Sequence, residues 1–182
     1  MSSIRRSAAL VAGPALAVLL AATVAAAPAA PRRAHGTFVD ASGAAIGSIH
    51  LSQDRHGIVH VNVKVKGLTP GLHGIHIHAV GSCTPTFLAA GGHYNPLGLE
   101  HGLDNPFGPH AGDLPNLVVN DRGNGRLNAR TDRVTLTPGV ATLFDADGSA
   151  FIIHANPDDQ VTNVGNGGSG PRIACAVIVA GR

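Results

Sequence analysis

At 182 residues, with 13 Lys and Arg, 11 Asp and Glu and a formal charge of +2, the chain is long enough for one domain with a buried core. Aromatic residues make up 3% of it and no Lys/Arg cluster carries interleaved aromatics. The pattern offers neither a phosphate-tracking groove nor a base-stacking platform, so no nucleic acid partner is expected.

The first segment is not part of the fold. MSSIRR is short and basic, and SAALVAGPALAVLLAATVAAAPAAP is apolar and ends in small residues, with Ala-x-Ala options from Ala25 to Ala27 and from Ala27 to Ala29. Together they read as a secretory signal peptide over residues 1–30, which leaves residues 31–182 as one mature domain. Gly13 and Pro14 interrupt the apolar run, no stop-transfer pattern follows, and no cysteine near the cleavage region could accept a lipid. Export to the periplasm or the exterior, with no stable membrane anchor, is the expectation. Ala8 and Ala9 follow Arg5 and Arg6 where a twin-arginine signal would carry a bulky apolar pair, which favours ordinary secretion. Removing the segment takes Arg5 and Arg6 with it and leaves 11 basic against 11 acidic residues, a formal charge of 0.

Short strand candidates follow in order. GTFVD and AIGSIHL come first, then GIVHVNVKVKG, where Val59, Val61, Val63 and Val65 alternate with His60, Asn62, Lys64 and Lys66. That is a period of two with one buried and one wet face. In GLHGIHIHAVGSC, residues 71–83, Ile75 and Ile77 alternate with His76 and His78, so both isoleucines face a core and both imidazoles share the opposite face. Taken alone, a partly exposed strand accounts for this pair slightly better than a metal site does. NLVVN, GRLNAR, AFIIH and RIACAVIV complete the series, and DASG, QDRHG, LTPG, DRGNG and DADG between the runs are turn formers. About eight strands with no helical periodicity predict an all-β antiparallel sandwich or flattened barrel. DADG at 145–148 opens like a calcium loop, but no glutamate follows at the required distance, so a turn is expected there.

Two segments break the pattern. Residues 80–115 and 155–171 are rich in Gly, Pro, Asn and Asp and too long for hairpin turns, and loops of that size in a compact domain tend to be functional. GGHYNPLGLEHGLDNPFGPHAGDLPN places His93, His101, His110 and Asp113 within 21 residues. Three imidazoles and a carboxylate match the tetrahedral set of Zn²⁺, closed by protein ligands as in a structural site. FIIHANPDD puts His154 at the end of an apolar strand. With His76, His78 and a fourth imidazole from the first loop it would make a tetragonal nitrogen set suited to Cu(II). If His93 serves both, six histidines and Asp113 supply four ligands to each metal. Cys83 and Cys175, an even count in an exported chain, favour one disulfide over two buried thiols. On the loop-entropy model such a bridge stabilises by roughly 4–5 kcal/mol.

GLHGIHIHAVGSC, GGHYNP, HAGDLPN, HANPDD and GPRIAC, in that order from about residue 34 to the C-terminus, resemble copper/zinc superoxide dismutases. The short step from His78 to Cys83 is similar to that of the exported bacterial members. The resemblance implies an eight-stranded Greek-key fold, one copper and one zinc per subunit, and dismutation of superoxide anion to O₂ and H₂O₂ by a redox-cycling copper, in a homodimer or a monomer. Position by position it implies His76, His78, His93 and His154 on copper and His93, His101, His110 and Asp113 on zinc, with His93 as a catalytic bridge. It also implies that Asp158 accepts from the far nitrogens of one ligand of each metal, with Asp159 on the solvated side, and that Arg172 holds the anion beside copper. His73 becomes a structural histidine, while His35, His50, His56 and His60 fall by pattern on outer faces or turns and receive no role. DDQVTNVGNGGSGP carries only two aspartates where some members place more charge, so guidance of the substrate falls to Arg172, the metals and elsewhere. Just before Arg172, either GNGGSGPR has two extra residues or Gly168 stands in for an asparagine. A metal store would need the histidines but not Arg172 or Asp158, and a decayed sandwich would lack a ligand; all seven candidates are present.

Overall fold

A computed structural model describes residues 32–181, and the segment read as a signal peptide lies outside the described residues. The strands are β1 (Arg33–Asp40), β2 (Ala45–Gln53), β3 (Val59–Lys66), β4 (Gly71–His73), β5 (Ile75–His78), β6 (Leu117–Val119), β7 (Asn124–Thr131), β8 (Ala150–His154), β9 (Arg172–Val177) and β10 (Val179–Ala180). They form one antiparallel sheet in the order β4-β6-β7-β3-β2-β1-β9-β8-β5, with β10 beside β1. Only Gly74 separates β4 from β5 in the chain, so the two ends of that path meet and the sheet is a nearly closed barrel.

All eight strand candidates appear, and the two additional strands come from breaks. At Gly74 the amide turns to the Asn156 carbonyl at 2.8 Å, and an added Cβ would stand 2.5 Å from Ser169 Oγ, so the chain kinks there between β4 and β5. Ile178 donates to Ser149 at 3.0 Å instead of continuing β9, and β1 takes β9 as partner at Val39 and Asp40 but β10 at Ala34 and His35.

The period of two sets the interior. Val59, Val61, Val63 and Val65 are buried and their alternates point outward. They pack with Phe38, Ile49, Ile75, Ile77, Phe151 and Ile153 in the main core. Burying such apolar side chains stabilises by about 1.5–3 kcal/mol each. Residues 132–149, between β7 and β8, carry no strand yet bury Val134, Leu136 and Leu143 in this core. Gln53 holds that connection by accepting from the Leu136 amide at 2.8 Å. DADG forms the expected turn, closed by Gly148 donating to Asp145 at 3.3 Å. The two long loops contain single-turn 3-10 helices, Phe87–Ala90 and Gly165–Gly168. Among the described residues no helix is long and apolar enough to cross a membrane.

Candidate metal centre

β5 is buried on both faces. Ile75 and Ile77 enter the main core, and His76 and His78, both 0% exposed, turn to the opposite side. That side is covered rather than wet, because the first long loop is laced to β5 by backbone hydrogen bonds. Ile77 donates to Gly112 at 2.9 Å, Tyr94 to Ile77 at 2.8 Å and Ala79 to Gly92 at 3.0 Å. Gly112 permits this approach, since an added Cβ would run into the Ile77 carbonyl oxygen. The lacing brings His93 and Asp113 beside the His-x-His pair; His78 bridges His93, and His76 bridges Asp113. β8 pairs with β5 and delivers His154 at its end.

In the first cluster, the far nitrogen of each imidazole has a partner and the near one has none. His76 Nε2 donates to Asp158 Oδ2 at 2.7 Å, His78 Nδ1 to Gly91 O at 2.9 Å, and His154 Nδ1 to Gly170 O at 2.9 Å. These partners fix the hydrogens on the outer nitrogens. His76 Nδ1, His78 Nε2, His93 Nε2 and His154 Nε2 are buried without a hydrogen-bond partner. Buried polar atoms are normally satisfied, and a cation bound by four imidazole nitrogens would satisfy all four at once. Burial, which disfavours imidazolium, lowers His76 to about 3, His78 to about 2 and His154 to about 4, and lowers His93 as well. The lone pairs are therefore free at neutral pH.

The second cluster surrounds Asp113. His93 Nδ1 lies 2.9 Å and His101 Nδ1 3.0 Å from Asp113 Oδ1, while Oδ2 accepts from the amides of Gly102 at 2.9 Å and His110 at 3.0 Å. Burial alone would raise Asp113, but these imidazole and amide contacts outweigh it and hold the carboxylate far below its usual range. Burial likewise works against a charged His101. Asp113 on one nitrogen and Asp158, 3.1 Å from the other, outweigh it and raise His101 to about 9. Two buried carboxylates thus draw positive charge to this spot.

Two groups bring four ligand atoms within 4.8 Å of one another among the described residues: His76, His78, His93 and His154, and His76, His93, His101 and Asp113. The second contains His76 where the sequence predicts His110. His110 sits at the rim, its side chain 17% exposed, with Nδ1 3.3 Å from His93 Nδ1 and 3.5 Å from Asp113 Oδ1. His76 is in reach, but Asp158 occupies its Nε2 and its Nδ1 belongs with the first cluster. His93 stands between the two clusters with one nitrogen toward each.

Asp158, 4% exposed, places Oδ2 2.7 Å from His76 Nε2 and both oxygens 3.1 Å from His101 Nε2, and so links the clusters. Asp159 is exposed and bonds the amides of Val161 and Thr162 in its own turn. Arg172 opens β9 opposite His154 and donates to the carbonyls of Phe87 and Gly91, both at 2.6 Å. Cys83 and Cys175 form the expected disulfide, Cα–Cα 5.9 Å, which ties the first loop to β9 beside that arginine. His73 is buried and bonds the backbone carbonyls of His154 and Thr69, apart from both clusters. His35, His50 and His56 are exposed, and His60 pairs with Asp54 at 3.2 Å.

Residues 45–178 match the family described as copper/zinc superoxide dismutase. The chain belongs to the copper/zinc superoxide dismutase family. It is 42% identical over 149 residues to superoxide dismutase [Cu-Zn] 2 of Aquifex aeolicus, covering 80% of this chain and 86% of that one. It is 40% identical over 148 residues to a superoxide dismutase-like protein of Bacillus subtilis, covering 80% of this chain and 75% of that one. A crystal structure of a SOD-like protein from Bacillus subtilis superposes with a TM-score of 0.74 at 41% identity, covering 80% of this chain and 97% of that one. Copper and zinc are the family's cofactors, and the buried imidazole clusters suit them.

Three residues of this centre receive no role from the sequence. Asn116 donates to the Asp158 carbonyl at 2.9 Å and accepts from its amide at 2.8 Å, which fixes the carboxylate between the clusters. Arg133, from the 132–149 connection, donates to the Asp113 carbonyl at 2.6 Å. Gln160, the one non-glycine residue with positive φ among those described (64°), donates its amide to Asp158 Oδ1 at 2.7 Å. Each acts through a contact distant in sequence or through a backbone group.

Proposed function

We propose that these residues carry out the family's reaction, dismutation of superoxide to O₂ and H₂O₂. Copper would be held by His76, His78, His93 and His154, and zinc by His93, His101, His110 and Asp113. The observation that carries the assignment is the set of four buried, unpartnered imidazole nitrogens converging from β5, β8 and the first loop. Bound copper supplies one-electron redox chemistry, and redox-silent zinc supplies fixed positive charge.

The remaining work falls to the protein. Asp158 holds the ring orientations of His76 and His101 through their outer nitrogens. The Arg172 guanidinium, half-buried and fixed by two carbonyls, provides a permanent cation beside His78 and His154 for an incoming anion. His93 Nε2 faces the first cluster while its Nδ1 stays with Asp113, so Nε2 is the atom that can hold a proton and pass it to the product. A metal store has no use for a cation fixed in this way, and Arg172 therefore favours the enzyme. Export to the periplasm or the exterior, with protection against superoxide outside the cytoplasm, is supported by the character of residues 1–30 and by the Cys83–Cys175 bridge.

Metal analysis of the purified protein combined with a superoxide-decay assay tests the proposal. One copper and one zinc per chain with catalysed decay is the expected result. A fully metallated chain that leaves the decay of superoxide unaccelerated would overturn the enzymatic reading and leave a metal store.

A further inference from the structure

Five cations of this chain lie on a face that the metal centre does not use. Outward positions along the run β7-β3-β2-β1 carry Arg33 on β1, Lys64 and Lys66 on β3, and Arg126 and Arg130 on β7, all exposed. The one carboxylate on β1, β2, β3 and β7 is Asp40 at the end of β1, whose oxygen is taken by the Ser42 and Ala44 amides of the following turn. The register sets like charges face to face: Lys64 lies directly opposite Arg126. Directly opposed like charges weaken a sheet. Among the described residues every ion pair is between a histidine and an aspartate, so no carboxylate neutralises these Lys and Arg side chains.

We propose that this face docks the protein on an anionic lipid surface. A continuous cross-strand row runs Thr37, Ser48, Lys64, Arg126, Val118, Leu72. It follows about 24 Å of the barrel's outer wall at about 4.8 Å per strand, a convex surface rather than a groove. Single-stranded nucleic acids are tracked by grooves with aromatic platforms on which bases stack, and no aromatic residue points outward from these strands. The row ends in Val118 and Leu72, 58% and 48% exposed next to Arg126. A lipid interface would cover these two apolar side chains, and a soluble polyanion would leave them wet. Unpaired cations without opposing carboxylates complement a plane of phosphate headgroups. In the strand order, β5 and β8 lie across the barrel from the cation-bearing β3 and β7, so contact through Lys64 and Arg126 would leave the histidine clusters turned toward solvent, with Leu72 on β4 at the edge of the contact nearest them.

The test is co-sedimentation of the metal-loaded protein, purified after export, with vesicles of phosphatidylglycerol and phosphatidylcholine. Binding at low salt, release at about 0.5 M NaCl and no binding to pure phosphatidylcholine are expected. K64Q/R126Q should weaken binding by about 10- to 30-fold. R55Q, which removes an exposed cation from the β2–β3 turn, should change it by about twofold or less. Leu72→Ser with Val118→Ser should weaken vesicle binding while leaving the weaker attraction to soluble polyphosphate unchanged. Parent-like binding by K64Q/R126Q with unchanged circular dichroism and metal content would overturn the proposal. So would equal capture by neutral vesicles, or tight binding to polyphosphate with none to vesicles, which would assign the face to a linear polyanion.

Discussion

His78 and Arg172 share one acceptor: the Gly91 carbonyl takes a hydrogen bond from His78 Nδ1 at 2.9 Å and from Arg172 Nη2 at 2.6 Å. The same carbonyl therefore orients a proposed copper ligand and the cation proposed to dock the substrate. The first long loop supplies it, and the Cys83–Cys175 bridge secures that loop to the strand carrying Arg172.

Replacing Arg172 by glutamate should leave both metals bound, since its contacts are to carbonyls and not to the ligand nitrogens. It reverses the charge an anion meets, and steering of this kind changes association by about 10 to 10³-fold. Activity should fall within that range, and added salt should affect the variant and the parent in opposite directions. Arg172→Lys should be intermediate, keeping the charge and losing the fork that reaches Phe87 and Gly91 together. Equal rates for fully metallated parent and Arg172→Glu in a superoxide-decay assay would remove Arg172 from the substrate path.

Asp113→Ala should lower zinc occupancy and loosen the first loop while sparing most copper affinity. The Gly102 and His110 amides lose their acceptor, at about 1–3 kcal/mol apiece, whereas His76, His78 and His154 stay on the sheet. Metal analysis and thermal melts read the two effects. Parallel loss of both metals with an unchanged loop would show the partition to be wrong.

Asp158→Asn should behave differently, because Asp158 contacts one histidine of each cluster. Loss of such a contact typically costs about 10- to 100-fold in metal affinity, and here copper and zinc should weaken together. Competition with a chelator of known affinity measures both. Selective loss of one metal would place Asp158 on that cluster alone.

The alternation in β3 and the His-x-His face of β5 were legible because a strand's period of two follows from backbone geometry alone. The pairing of Cys83 with Cys175 was legible from an even count in a chain read as exported. Both faces of β5 being buried was not legible, since it depends on backbone hydrogen bonds to residues 92–94 and 112, which any side chain could accompany. The 132–149 connection escaped for a related reason: Val134, Leu136 and Leu143 fill the core with no period to announce them. Asn116 and Arg133 act on Asp158 and Asp113 across 42 and 20 residues, distances at which a sequence holds no local signal.

Removing the bridge with Cys83→Ala and Cys175→Ala should lower unfolding stability by about 4–5 kcal/mol, as expected for a loop closed across 92 residues. Activity should fall further than metal content does, because the Phe87 carbonyl that holds Arg172 lies in the segment the bridge secures. Urea melts and a superoxide-decay assay on the double variant check both parts. Full activity in the metal-loaded double variant would detach the bridge from the placement of Arg172.

Chelator-stripped protein should lose stability steeply as pH falls below about 6.5. Burial lowers His154 to about 4, His76 to about 3 and His78 to about 2, and lowers His93 too. An unfolded chain protonates these rings near 6.5, so below that pH the unfolded state binds protons that the folded state refuses, and the balance shifts toward unfolding. Asp113 and Asp158, both held far below their usual range by imidazole and amide contacts that outweigh their burial, contribute stability present above about 4 and lost below it. His101 opposes the trend. Raised to about 9 by Asp113 and Asp158 against its burial, it contributes stability that is full below about 6.5 and fades as pH rises toward 9. Four rings against one make the acid limb the steeper, with maximum stability near neutrality. His154→Gln should flatten the slope between pH 6.5 and about 4 by removing one of the four. Urea midpoints that hold steady or rise from pH 6.5 down to 4.5 would show that the imidazoles of the first cluster are not held neutral by burial.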